Sequence, residues 1–223
     1  MLTRGESEPV VQIRPMREED VPVLAALDFD YESQVALEWT AEPVEPSFSG
    51  SPDELWATAA QTAPRTVQTY SLMEVPLATP YVKRAYARDI LEELNKAIGS
   101  QDDAVFVAGE PPTGVIHLTL DSWRRVATVW AMYVHRPYRG RGVARALMNR
   151  GIGWAREKGV AAVALETQNT NYAANCFYRA MGFSLAAVDP YFYAGTPVGR
   201  REKAIFWYYL LEHAGNGVEQ QNA

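Results

Sequence analysis

Val10 to Pro15 alternates apolar and polar positions and predicts a first strand. Glu18, Glu19 and Asp20 then place acid ahead of Val21, Leu24, Ala25 and Leu27, the order expected where a helix begins. Asp28 to Trp39 reads as a second short helix, and the Pro-, Glu- and Ser-rich run from Thr40 to Gly50 as a loop. Ser51-Pro52-Asp53-Glu54 has the form of a capping box with proline at the first helical position, predicting a short helix to about Ala60. Thr66 to Pro76 alternates as a strand. Thr79-Pro80 is read as the start of a helix carrying the stripe Val82, Tyr86, Ile90 and Leu94 and ended by Gly99.

The second half is patterned more sharply. Ala104 to Ala108 and Thr113 to Leu120 predict two strands around Pro111-Pro112, and Arg124 to Val134 a central strand that ends before Pro137. Ala144, Leu147, Met148, Gly151, Ile152 and Ala155 then form a continuous small or apolar stripe at helical spacing, with Gly159 where a left-handed cap would fall. Val160 to Thr167 is a nearly all-apolar strand, as expected when both faces are covered. Asn171 to Met181 is helical, and Phe183 to Val188 and Lys203 to Leu211 are closing strands. The pattern is that of an α/β (α+β) chain. Neither an internal repeat nor a linker divides it, so residues 10–213 are expected to form one domain between flexible tails, 1–9 and 214–223.

Composition narrows the function. A net charge of −6 argues against a general nucleic-acid role, and no apolar run is long enough to span a bilayer. A single cysteine, Cys176, excludes an internal disulfide and suits a reducing compartment, so a cytoplasmic location is expected. Cys176 reads as a small core residue rather than a nucleophile. Three scattered histidines give no metal-ligand spacing, and no metal is expected.

Basic residues concentrate where the central strand meets the long helix, at Arg139-Gly140-Arg141-Gly142-Val143-Ala144-Arg145. A helix N-terminus leaves its first backbone N–H groups unpaired and carries about half a positive charge. Two glycines let an anion approach that backbone, and three arginines surround it. The junction predicts a pyrophosphate cradle made mostly of main chain. His135, just past the strand end, reads as a solvated surface residue.

Arg139-x-x-Gly142-x-Ala144 after a strand resembles the acyl-CoA signature of the GNAT superfamily of N-acetyltransferases. Downstream, Asn171-x-x-Ala174-x-x-Phe177-Tyr178-x-x-x-Gly182-Phe183 is similar to that family's second motif. The resemblance implies a single-domain GNAT fold, a mixed and mostly antiparallel sheet with helices on both faces, and acetyl-CoA as cosubstrate. It implies that Met132, Tyr133 and Val134 pair through their backbone with the pantetheine arm and polarise the thioester carbonyl. It further implies that Arg139 to Arg145 hold the diphosphate and that Asn171 and Ala174 lie against pantetheine. Asn171 can equally serve as a simple N-cap, and both roles can hold together.

Transfer to an amine needs a proton acceptor, and the departing thiolate a donor. Glu166 ends an apolar strand, where partial desolvation would raise its pKa. Leu165, Glu166, Asn171 and Tyr178 resemble the Leu-Glu-x₄-Asn-x₆-Tyr spacing of ribosomal-protein alanine acetyltransferases. That likeness implies Glu166 as base, directly or through water, and Tyr178 as acid. Tyr178 also fits a core position on its amphipathic helix.

Nearly the whole chain further resembles the streptothricin (nourseothricin) acetyltransferases, through Ala26-Leu27-Asp28, Met73-Glu74-Val75-Pro76, Ser122-Trp123-Arg124-Arg125, Tyr193-x-Gly195 and Lys203-Ala204-Ile205. Where those enzymes carry an acidic run on the central strand, this chain has Trp130, Ala131 and Tyr133, which either shape a flatter amine site or pack the sheet. The resemblance implies an acetyl-CoA-dependent N-acetyltransferase acting directly on a primary amine of a small molecule. Protein N-terminal acetylation and a non-catalytic acyl-CoA-binding module are the alternatives. The aromatic C-terminal strand allows a homodimer by analogy, and neither nucleic acid nor membrane is an expected partner.

Overall fold

The computed structural model describes residues 11–41, 70–84, 87–199 and 201–211. The elements run β1 (Ile13–Pro15), a 3-10 turn (Glu18–Asp20), α1 (Val21–Ala25), β2 (Tyr31–Ala41), β3 (Tyr70–Lys83), α2 (Ala87–Ala97), β4 (Asp103–Ala108), β5 (Gly114–Asp121) and β6 (Val126–Val134). A 3-10 turn (Arg136–Tyr138), α3 (Val143–Glu157), β7 (Ala162–Gln168), α4 (Tyr172–Ala180), β8 (Ser184–Asp189) and β9 (Ala204–Leu210) follow. Seven strands form one sheet in the order β1-β4-β5-β6-β7-β9-β8, and β2 and β3 form a separate hairpin sheet. Every neighbouring pair is antiparallel except β6–β7, which α3 connects. A parallel pair needs such a crossover, and this one determines everything at the site.

Helices cover both faces. Leu147, Met148, Ile152 and Ala155 of α3 sink into a core with Ile116, Leu118, Val129, Val163 and Leu165 of the sheet, joined by Tyr178 and Phe183 at the α4 end. On the opposite face, Leu24 of α1 and Leu91, Leu94 and Ala97 of α2 pack on Val105, Val107 and Val115. The stripe read from the sequence of α3 is thus the stripe it buries. Gly114 makes that fit possible: a Cβ there would lie 2.9 Å from the Tyr133 carbonyl oxygen and 3.2 Å from both Leu147 and Val143 side chains. Gly114→Ala therefore pushes the first turn of α3 off the sheet and is expected to destabilise the fold by about 1–3 kcal/mol, read by urea denaturation.

Two expectations need correcting. Asp28–Trp39 is not a helix: Tyr31–Ala41 is a strand paired along β3. A register shift between Ser33 and Val35 breaks the strict alternation that would have marked it, and cross-strand pairing decides its state. The helix expected from Thr79-Pro80 starts only at Ala87, because β3 runs on to Lys83. Its prolines fall in an irregular two-stranded hairpin, where a missing ladder donor is tolerated. Val82, assigned to the helical stripe, is an exposed strand residue. The expected helix at 51–60, most of the 40–50 loop and both tails lie outside the described residues. β9 sits inside the sheet between β7 and β8, where Ile205 and Trp207 are buried and Phe206, Tyr208 and Tyr209 partly so.

Candidate active site

β6 and β7 are hydrogen-bonded only from Val126↔Ala162 to Val129↔Leu165. Beyond that pair they part, while β6 keeps β5 as far as Val134↔Gly114 and β7 keeps β9 as far as Gln168↔Ala204. Each strand is bonded on its outer side, and the inner edges of Trp130–Val134 and Glu166–Gln168 face a cleft of about 640 Å³. Backbone groups of a strand point alternately to its two neighbours, so the parted edges offer unpaired N–H and C=O groups to an extended guest. A β-bulge at Trp130, where Leu118 faces Val129 and His117 faces Ala131, helps β6 diverge.

The cleft reaches the entry of α3. Gly140 and Gly142 adopt φ of +73° and +80°, a left-handed conformation that side chains rarely take, and nothing lies within 4 Å of where a Cβ would sit. Gly142 is the N-cap residue, and no side chain caps the helix there. Its first N–H groups therefore face outward at the positive end of the dipole. Arg139 lines the cleft and donates from Nε to the Val134 carbonyl at 3.0 Å. Turn and cleft are joined by a clip: Arg136 pairs with Asp28 at 2.7 Å, and the Asp28 N–H donates to His135 Nδ1 at 3.1 Å. His135 thus ties the loop before β2 to this turn.

The structure brings most of the expected residues together. Met132, Tyr133 and Val134 line the cleft from β6, with Arg139, Gly140 and Ala144 at one end and Asn171 and Ala174 from α4. Arg141 and Arg145 are exposed and stand outside its lining, Arg141 resting over the Tyr138 ring at 5.7 Å. Gly142 and Val143 are also outside it; the Val143 side chain is core, so only its main chain is available. Asn171 is a cap: its Oδ1 accepts the Ala174 N–H at 3.3 Å. Of the two central-strand aromatics, Tyr133 packs against Phe29 with ring centroids 5.2 Å apart, whereas Trp130 is 70% exposed and packs nothing into the sheet core.

Glu166 and Tyr178 both line the cleft but approach from opposite faces. Leu165 is buried beneath α3, so the next residue, Glu166, projects from the other side of β7. Tyr178, on α4, belongs to the α3 side. Burial raises the Glu166 carboxyl to a pKa of about 7, helped by the nearby Glu202 charge and opposed by Tyr193 and Lys83. Tyr193 Oη donates to Glu166 Oε1 at 2.5 Å and accepts from Gln168 Nε2 at 2.8 Å. Tyr178 is almost fully buried, which pushes its phenol above its ordinary value, with Tyr133 and Glu166 adding to the shift. Among the described residues no group hydrogen-bonds its hydroxyl, yet that hydroxyl is not a sealed, unsatisfied atom. It opens on the cleft.

Behind Glu166 lies a network that the sequence did not announce. Glu202 is fully buried and accepts from Lys83 Nζ at 2.7 and 2.9 Å and from Tyr81 Oη at 2.5 Å. Lys83 also sits 5.9 Å from the Tyr193 ring centroid. Tyr193, Lys83, Tyr81 and Glu202 come from three separate stretches of chain, so no local spacing marks them. Among the described residues no group of three or more His, Cys, Asp or Glu side chains could hold a metal ion, and no helix is long and apolar enough to cross a membrane.

Residues 69–183 match the model of the acetyltransferase (GNAT) family, a stretch that includes Glu166 and Tyr178 and ends before Tyr193 and Glu202. Streptothricin acetyltransferase from Escherichia coli is 30% identical over 132 residues, 59% of this chain and 72% of that protein. Streptothricin acetyltransferase A of Bacillus subtilis (strain 168) is 39% identical over 88 residues, 40% of this chain and half the length of that relative. The crystal structure of a nourseothricin acetyltransferase superposes with a TM-score of 0.68 at 26% identity, covering 91% of this chain and 99% of that one. Its parted parallel strands, open helix entry and family match identify the chain as a member of the acetyltransferase (GNAT) family.

Proposed function

We propose that this acetyltransferase moves the acetyl group of acetyl-CoA directly onto a primary amine of a small antibiotic of the streptothricin kind, and so confers resistance to it. The observation that carries the reading is a carboxyl with a pKa of about 7 at the rim of the parted strands, reachable by an amine from the face opposite α3. A base poised near the working pH takes a proton most effectively. The relatives named for streptothricin and nourseothricin supply the acceptor class.

Acetyl-CoA supplies the acyl group and a thiol leaving group. Gly140, Gly142 and the first N–H groups of α3, with Arg139, Arg141 and Arg145, hold its diphosphate, a fit supported by the open left-handed turn and the uncapped helix. The inner edge of β6 at Met132–Val134 pairs with the extended arm, and one of its N–H groups faces the carbonyl oxygen where charge develops. Asn171 and Ala174 bound the arm on the α4 side. Glu166 receives the amine proton, directly or through water, as the new N–C bond forms. Tyr178 keeps its proton until the C–S bond breaks and gives it to the sulfur. Tyr193 holds the Glu166 carboxyl in place.

We assign the protein to the cytoplasm, with amine and acetyl-CoA as its partners, and assign it no nucleic-acid or membrane role. A thiol-release assay tests the reading with nourseothricin and a panel of peptides bearing free N-termini. Turnover of the antibiotic and none of the peptides is expected. Peptide turnover alone makes it an N-terminal acetyltransferase, and CoA binding with no turnover of any amine makes it a binding module.

A further inference from the structure

A second cavity, of about 480 Å³, lies on the α2 side of the sheet and shares Ile90, Trp130, Ala131 and Tyr133 with the transfer cleft. Its floor holds a dyad that the transfer chemistry leaves unused. His117 is 93% buried, and its Nε2 donates to Asp103 Oδ1 at 2.8 Å. Asp103 also accepts from Thr119 at 2.6 Å and Ser100 at 2.7 Å, which fixes the carboxylate and so the imidazole. A neutral ring with its proton on Nε2 presents Nδ1 as an acceptor. Among the described residues nothing bonds Nδ1, and it is not a sealed, unsatisfied atom. A buried, oriented acceptor therefore opens on this cavity.

The rest of the wall selects the guest. Among the described residues its carboxylates are Asp103 and Glu93, and its ammonium, Lys96, is held by Glu93 at 2.7 Å. Trp130 projects from the bulge between the two cavities, 70% exposed, with an indole face free to take a cation. An acceptor atom, an excess of carboxylate and an aromatic face suit a donor-rich cation and disfavour an anion.

We infer that this second cavity seats a second, protonated amine of the acceptor, gripped by His117 Nδ1 and the Trp130 face, while the first amine reacts at Glu166. The inference rests on the amine-transfer reading above. It also explains how a chain with Trp130, Ala131 and Tyr133 on its central strand would still capture a polycation: the negative charge sits two strands further out, on Asp103 of β4.

Cadaverine and pentylamine share a chain and differ in one ammonium, which makes them the probe pair. Calorimetric titration into the full chain is expected to give cadaverine about tenfold tighter binding than pentylamine, and His117→Phe or Trp130→Ala to bring that ratio close to one. Trp130 is exposed, so its replacement keeps the test valid if the His117 variant fails to fold. Equal binding of the two amines by the wild type, or a ratio that survives both replacements, overturns the subsite. Turnover is read separately with nourseothricin: a retained ratio with no acetylation of the antibiotic supports the subsite and sinks the transfer reading instead.

Discussion

Glu166→Gln is expected to lower turnover by roughly two to four orders of magnitude while leaving acetyl-CoA affinity within about twofold. Glutamine keeps the shape and can still accept from the Tyr193 hydroxyl, so the loss isolates the proton acceptor. The wild-type rate rises with pH through the titration of a carboxyl near 7; the variant loses that limb. Stability supplies an independent check. The folded carboxyl has its pKa raised from 4.5 to about 7, so it binds a proton more tightly than the unfolded chain does. Its contribution is present at pH below 4.5 and is lost as pH rises through 7, by up to about 3 kcal/mol. Glu166→Gln cannot lose that contribution, so its melting temperature gains on the wild type between pH 5 and 8 (values chosen to bracket the window). Thermal melts that keep a constant offset across this range contradict the assignment, as does a pH–rate profile identical to the wild type.

Tyr178→Phe is expected to cost about a hundredfold in turnover, with the KM for acetyl-CoA little changed. The hydroxyl bonds no described protein group, so its removal breaks no internal hydrogen bond, and the ring contacts with Phe177 and Phe183 persist. A purely structural tyrosine at this position would leave the rate intact in the phenylalanine variant. The two roles also separate by acceptor side and thiol side. A poorer leaving group, such as the oxoester analogue of the cosubstrate, should deepen the Tyr178→Phe defect and leave the Glu166→Gln defect unchanged. Steady-state rates with matched analogues measure this directly.

Much of this fold is written locally. The α3 stripe, the apolar run of β7 and the glycine-bearing turn between β6 and α3 each carry their structure in short-range spacing, and all three appear where the pattern puts them. β2 was not legible, because a bulge interrupts its alternation and its state depends on β3, some forty positions away. The site divides in the same way. Glu166 and Tyr178 sit on elements whose periodicity is plain, so their neighbourhood could be read. Tyr193, Lys83 and Glu202 meet only after the hairpin and the segment before β9 fold onto β7, and the His117–Asp103 dyad requires β4 and β5 to pair. Hydrogen bonds between partners so far apart in sequence leave no trace in spacing.

The parting of β6 from β7 has a consequence for how such an enzyme can diversify. On the reading proposed above, its hold on the common donor comes from main-chain edges and a helix mouth, features that exchange of side chains barely alters. The outward-facing positions around the bulge are therefore at liberty to vary. Successive changes at Trp130 or Ala131 can retune which amines are accepted while the machinery that delivers the acetyl group goes on unperturbed.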